Sequence, residues 1–278
     1  MRVLIDACGL HRLQAQCPTL VILDVRWALG DPHGQAHHGA AHIPGAVYVD
    51  LGTELAAPAQ AGRGRHPLPD PVALQQAARR WGVRARSHVV AYDDVGNTSA
   101  ARAWWLLRWA GFGGVQLLDG GLGAWRRAGY ATEAGPVAPA PGDVTLVPGA
   151  LPVLGAEQAA ALARTGLLLD ARAGERYRGE HEPVDPRAGH VPGAISAPTS
   201  ENLRPDGSFR EAAALRRRFT TLGTERAAGI GVYCGSGITA THEIAALAIA
   251  GFDAALYAGS WSEWVSDPTR AVAVGAEP

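Results

Sequence analysis

The feature that most narrows the folds open to this chain is a series of landmarks that occurs twice in the same order. The first half carries VILDVR with Asp24 and Arg26, then HIPGA at His42–Ala46. HVVAYDD follows, reaching Asp93, and then VQLLDGGLGAW, ending at Trp125. The second half carries LLLDAR with Asp170 and Arg172, HVPGA at His190–Ala194, IGVYC ending at Cys234, and AALYAGSWSEW ending at Trp264. Partners lie 139 to 148 residues apart. A period of domain size means a duplicated domain rather than a solenoid, whose repeats are a few tens of residues long. The 278 residues therefore divide into two domains, expected at 1–135 and 147–278. A Pro/Gly-rich linker at 136–146 lies within the unpatterned stretch that starts at Glu133.

Within each copy, short Leu- and Val-rich runs alternate with stretches of helical period: PVALQQAARRWG, ARAWWLLRWAG and GAEQAAALARTG. Apolar runs without strict alternation are the mark of strands buried on both faces. The predicted class is α/β, each copy a mostly parallel sheet flanked by helices. Trp104, Leu107 and Trp109 are expected to point into the core. Each Pro-Gly pair suits a type II turn. His42 and His190 are read as hydrogen-bonding to neighbouring loops rather than as metal ligands, because no partner ligand sits at helical spacing. Asp24 and Asp170, at strand ends, are expected to hold loop amides.

Composition narrows the function classes. Apolar content of 47% and charged content of 18% fit a globular protein with ample core. A net charge of −1 provides no field for nucleic acid or an anionic membrane, so neither is an expected partner. All 25 basic residues are arginine. Without lysine there is no Schiff-base chemistry, no lysine-anchored cofactor and no lysine-dependent P-loop. No cofactor or metal is expected. Cys8, Cys17 and Cys234 form an odd set without a CxxC pair, which argues against a disulfide framework and for a reducing compartment. MRVLIDACGL is broken by Asp6 too early for a signal-peptide core, and no apolar run approaches the ~18 residues of a membrane span. The expected location is the cytoplasm.

The stretch GVYCGSGITATHEIAALAIA, Gly231–Ala250, reads as strand, Gly-rich turn and helix, with Cys234 at the strand end. Unpaired amides of such a turn and of the first helical turn carry partial positive charge. They favour a negatively charged sulfur and so a nucleophile. The competing reading is a buried structural cysteine. Ligands of a parallel sheet bind beyond the carboxyl ends of its strands, where Cys234, the Arg-rich segment after Asp170 and the AGSW turn all fall. At the place of Cys234 the first copy has Asp93, so only the second copy can do thiol chemistry.

Taken together, LDVR…HIPGA, LDAR…RYRGEHEP…GHVPGA and YAGSWSEW resemble the signatures of tandem rhodanese-type sulfurtransferases over the whole chain. The loop CGSGITA is similar to the 3-mercaptopyruvate sulfurtransferase form. The thiosulfate-preferring form usually has two basic residues where this chain has Gly235 and Ser236. The resemblance implies two rhodanese-like domains, the first inactive. It implies ping-pong transfer of a sulfane sulfur through a Cys234 persulfide. The amides of Gly235, Ser236, Gly237, Ile238, Thr239 and Ala240 would hold the anionic sulfur, with glycines allowing close approach. It also implies a relay from Cys234 through Ser236 to Asp50, with His66 beside it. A substrate carboxylate calls for guanidinium groups. The resemblance places one on Arg176, with Arg178 as a nearby reserve. The family's second substrate arginine falls on Val184, and Arg187 is the expected substitute. Glu180 or Glu182 could instead pair with Arg178 and Arg187. Implied partners are a small sulfur donor and a cyanide, thiol or thioredoxin-like acceptor.

Three other readings compete. A phosphatase of the same fold needs an arginine six residues after the cysteine, and Ala240 occupies that place. A non-catalytic binding module is the second, and a thiosulfate:cyanide sulfurtransferase the third.

Overall fold

The computed structural model describes residues 2–278. It divides into two compact units. One comprises the chain through Ala57, Pro69–Leu151 and Leu203–Phe209; the other comprises Pro58–Leu68, Pro152–Asn202 and Arg210–Pro278.

The first unit holds strands β1 (Leu4–Ile5), β2 (Leu20–Asp24), β3 (Ala46–Tyr48), β4 (His88–Tyr92) and β5 (Val115–Leu118) in the order β1-β5-β4-β2-β3. The second holds β6 (Val153–Leu154), β7 (Leu167–Asp170), β8 (Ile195–Ser196), β9 (Ile230–Tyr233) and β10 (Ala255–Tyr257) in the order β6-β10-β9-β7-β8. Every pairing is parallel. The two orders are the same order, so the duplication read from the landmarks is a duplication of topology. The fold is α/β, as the apolar runs require: β7 (LLLD) is buried along its whole length.

Local chemistry sets the helix starts. Asp70 accepts the N–H groups of Val72 and Ala73 and is followed by Pro71, which opens the helix Pro71–Arg80. Asp6 does the same for Ala7–Gln16 through Gly9. The helix Ala100–Trp109 is buried from Ala100 through Leu107. Here one expectation is corrected. Trp105 is fully buried, whereas Trp109, at the last turn, is half-buried and stacks on Trp105 with ring centroids 6.0 Å apart. A helix covered on nearly all sides has no single inward stripe for periodicity to find.

The repeated motifs make matching contacts. Gly45 and Gly193 have φ of +75° and +84°, and Ala46 and Ala194 donate to Ile43 and Val191 carbonyls at 2.9 Å. This is the i→i+3 closure of the expected type II turns. The Ile43 and Val191 amides donate to the Tyr92 and Tyr233 hydroxyls, both at 3.1 Å, tying each turn to its central strand. His42 and His190 donate through Nδ1 to the His38 and Tyr177 carbonyls at 2.7 and 2.8 Å, in keeping with a structural role. Asp170 accepts the Arg172 amide, but its main partner is the Arg172 guanidinium. The Asp24 side chain faces Arg26 and His38 instead of the expected loop amides. Each pair is buried, and a buried carboxylate is better matched by a guanidinium than by neutral donors.

Candidate active site

β9 ends at Tyr233, paired in register with Asp170 of β7, and Cys234 is the next residue. The chain turns through Gly235–Ile238 into the helix Thr239–Ala250. One neighbouring segment, Tyr257–Ser262, pins this turn. The Cys234 amide donates to Ser260 Oγ at 3.1 Å, and Ser260 Oγ donates to the Tyr257 carbonyl at 2.9 Å. The Trp261 and Ser262 amides donate to the Cys234 and Gly235 carbonyls at 3.0 and 2.9 Å. The AGSW motif thus serves as the floor of the loop. Gly237 has φ of +79°, and a Cβ there would collide with the Ala258 carbonyl oxygen, so only glycine fits.

Cys234 is 2% exposed, and the Gly237 amide donates to its Sγ at 3.1 Å. The first unit displays what such a turn can hold. Asp93, at the place of Cys234, is fully buried and accepts four amides: Val95 and Asn97 on Oδ1 at 2.9 and 2.7 Å, Ser99 and Ala100 on Oδ2 at 2.8 and 2.9 Å. Burial pushes the Asp93 carboxyl up, and the four N–H groups pull against it. By the repeat, the corresponding amides of the second unit are those of Ser236, Ile238, Ala240 and Thr241. The Thr241 amide is taken by the Ile238 carbonyl at 3.0 Å. The first copy therefore fills its turn with a built-in carboxyl side chain, whereas the second presents a sulfur.

Pro58–Leu68 belongs to the unit that contains Cys234, and this brings His66 and Ser236 together. His66 Nδ1 and Ser236 Oγ are hydrogen-bonded at 2.8 Å. The Arg65 amide donates to Ser262 Oγ at 3.1 Å, fastening the segment beside the loop. A Cβ on Gly64, which has φ of +79°, would lie 2.6 Å from the Gly259 carbonyl oxygen, so this approach too requires glycine. Asp50 lies in the other unit, where it caps the short helix Leu51–Glu54 by accepting the Thr53 amide at 3.0 Å.

Of the three candidate substrate arginines, the structure brings one to the loop. Arg176 follows the start of the short helix Gly174–Tyr177. It donates through Nη2 to Glu182 Oε1 at 2.6 Å and through Nε to Glu182 Oε2 at 3.2 Å. Burial alone would push the Glu182 carboxyl up, but the Arg176 guanidinium and the Val184 and Asp185 amides outweigh it and hold it low. Arg178 is engaged by Glu180 at 2.7 Å in a largely exposed pair. Arg187 donates to the Arg270 carbonyl at 3.1 Å, and its own carbonyl accepts Trp261 Nε1–H at 3.0 Å. It therefore braces the floor segment. The residue not anticipated is Arg65, whose guanidinium is ion-paired with Asp185 and comes up against Gly235. Its one sequence signal was adjacency to His66.

The chain belongs to the rhodanese-like domain family, which matches residues 9–128 and 155–267. It is 50% identical over 265 residues to a Pseudomonas aeruginosa protein provisionally named 3-mercaptopyruvate sulfurtransferase, covering 93% of each chain. It is 48% identical over 279 residues to a Mycobacterium tuberculosis protein, SseB, provisionally named a thiosulfate sulfurtransferase, covering 99% of this chain and 98% of the other. Among solved structures, SseA from Escherichia coli, described as a 3-mercaptopyruvate sulfotransferase of rhodanese fold, aligns with a TM-score of 0.83 and 31% identity. That alignment covers 94% of this chain and all of SseA. Among the described residues no helix is long and apolar enough to cross a membrane.

Proposed function

We propose that this protein is a sulfurtransferase that moves a sulfane sulfur from 3-mercaptopyruvate to a thiol or cyanide acceptor through a persulfide on Cys234. The observation that carries the reading is the cysteine at the head of a Gly-rich turn, with an amide donating to its sulfur and a hydroxyl–imidazole pair two residues on. The Cys234 thiolate attacks the sulfur of the donor. The donor's C–S bond breaks, and its electron pair passes into the enolate of pyruvate, which takes up a proton. Ser236, hydrogen-bonded to His66, is the group proposed to deliver that proton. Asp50 is proposed as the carboxylate of the same relay, on the family resemblance. The amides of the turn, which hold four-fold on Asp93 in the first copy, hold the anionic outer sulfur here. The acceptor then attacks that sulfur and releases the Cys234 thiolate, completing two half-reactions.

Thiosulfate as the preferred donor is the second reading, favoured by the name of the M. tuberculosis relative. Gly235 and Ser236, where the thiosulfate-preferring form is basic, favour mercaptopyruvate. Specific activities measured side by side, with one acceptor at one pH, decide between them. Mercaptopyruvate is expected to exceed thiosulfate by about tenfold or more, the scale of a single charge-assisted hydrogen bond. Equal or reversed rates assign the enzyme to thiosulfate. Asp50→Ala is expected to slow mercaptopyruvate turnover more than thiosulfate turnover, and equal effects would leave Asp50 as a helix cap alone.

We further propose 136–146 as the linker between the two duplicated domains, and the cytoplasm as the site of action. Three free cysteines suit a reducing compartment. A small thiol, a thioredoxin-like protein or cyanide would serve as acceptor.

A further inference from the structure

The donor proposed above carries a carboxylate, yet the second arginine that would hold it falls on Val184, and Arg187 is committed to Arg270 and Trp261. We propose that Arg65, from the Pro58–Leu68 segment, supplies the missing guanidinium and that Arg65 and Arg176 together clamp the donor's carboxylate above Gly235. This inference rests on the sulfurtransferase reading for the identity of the ligand, while the clamp itself rests on the following geometry.

A Cβ placed on Gly235 would lie 3.1 Å from Arg65 Nη2, and 3.5 and 3.7 Å from Arg176 Nη1 and Nη2. Two cationic groups from distant parts of the sequence thus converge on Gly235, one residue after the nucleophile, and the glycine lets them come this close. Both are held from behind by the same carboxylate: Arg65 Nη1 pairs with Asp185 Oδ1, and Arg176 Nη2 lies 3.4 Å from Asp185 Oδ2. Arg176 spends its Nε and Nη2 on Glu182 and Asp185, and Arg65 spends Nη1 on Asp185. The nitrogens left over, Nη1 of Arg176 and Nη2 of Arg65, are those nearest Gly235. Both lie against Gly235 of the catalytic turn. The side chains of Asp185 and Glu182 are 4% and 3% exposed, so the two guanidinium groups are fixed before any ligand arrives, and little ordering is lost on binding.

The chemistry suits the ligand. A carboxylate accepts on two oxygens, and two guanidinium groups offer one N–H to each. In 3-mercaptopyruvate the carboxylate stands three bonds from the sulfur. A donor with its sulfur at Cys234 therefore needs its cationic partners close by, and Arg65 and Arg176 stand one residue away, at Gly235. The proposal also accounts for glycine at 235, because a Cβ there would press on Arg65 Nη2 at 3.1 Å and disturb the clamp.

The test uses 3-mercaptopropanoate and its amide, a pair differing in the carboxylate alone. Their dissociation constants are measured by calorimetry on the full-length protein and on Arg65→Gln, Arg65→Lys and Arg176→Gln. The wild type is expected to bind the acid about tenfold more tightly than the amide, and Arg65→Gln and Arg176→Gln each to lose about tenfold for the acid and under twofold for the amide. Arg65→Lys keeps the counter-ion of Asp185, so it reports on binding even where Arg65→Gln folds poorly; it is expected to lose at least threefold, because a point charge cannot replace the planar fork. Acid affinity within twofold of wild type in both Arg65 variants overturns the assignment, as does a wild type that does not distinguish acid from amide. The readout requires no sulfur transfer. A clamp that discriminates in a protein unable to take sulfur from mercaptopyruvate would therefore sink the donor and leave the clamp standing.

Discussion

Cys234→Ser is expected to lower sulfur-transfer turnover by about 10⁴-fold or more, the scale seen when the nucleophile of a covalent mechanism is removed. A serine hydroxyl fits the cavity of the thiol and can accept the same Gly237 amide, so the turn should survive the change. An alcohol is a far weaker nucleophile than a thiol and lacks its polarisable sulfur. The contrast is internal to the protein. Cys8 is exposed and lies on the Ala7–Gln16 helix, and Cys17 follows that helix, both in the unit that lacks Cys234. Serine at either place is expected to leave turnover within twofold of wild type. Turnover surviving in Cys234→Ser would move the nucleophile elsewhere.

The second large effect is on stability. Arg172→Ala is expected to cost about 3–5 kcal/mol, the usual loss when one partner of a buried ion pair is removed. Asp170 is fully buried, and its carboxylate receives both the Nε and Nη2 groups of Arg172, at distances from 2.5 to 3.1 Å. The same guanidinium donates to the Gly189 carbonyl at 2.6 Å and lies 4.6 Å from the Trp261 ring. Alanine would strand a buried carboxylate, a buried carbonyl and one face of a core tryptophan together. The residue also reaches Glu182 at 3.4 Å, so its loss should loosen the carboxylate that positions Arg176. Equilibrium denaturation provides the number, with Arg178→Ala, at a largely exposed pair, as a control expected to show no measurable change. A loss under about 1 kcal/mol for Arg172→Ala would mean that the Asp170 carboxylate finds other partners.

These cases mark what could be read from the chain and what could not. The paired parallel sheets, the Pro-Gly turns and the contrast between Asp93 and Cys234 could be read from the repeat, because duplicated sequence folds into duplicated topology, whereas the strand order within each sheet could not. The positions of His66 and Arg65 do not follow from it. Pro58–Leu68 comes within the first copy in sequence, yet it packs with the second unit. That choice is made by contacts such as Arg65 N–H to Ser262 Oγ and the close pass of Gly64 to Gly259, nearly two hundred residues away. Arginines are equally opaque. Arg176, Arg178 and Arg187 look alike along the chain, and only the placement of Glu182, Glu180 and the Arg270 carbonyl separates a group beside Gly235 from a surface pair and a brace. Asp24 departs from expectation for a related reason: a strand-end carboxylate takes whichever donor the fold brings near, and here that is a guanidinium.

The central claim is that one sulfur, on Cys234, takes a second sulfur from the donor. Peptide mass analysis of the full-length protein after brief exposure to equimolar 3-mercaptopyruvate, without acceptor, tests it directly. The account predicts a gain of about 32 Da, one sulfur atom, confined to the peptide that contains Cys234 and discharged when cyanide is added. No gain on that peptide, or a gain on the peptides of Cys8 or Cys17 instead, would contradict it.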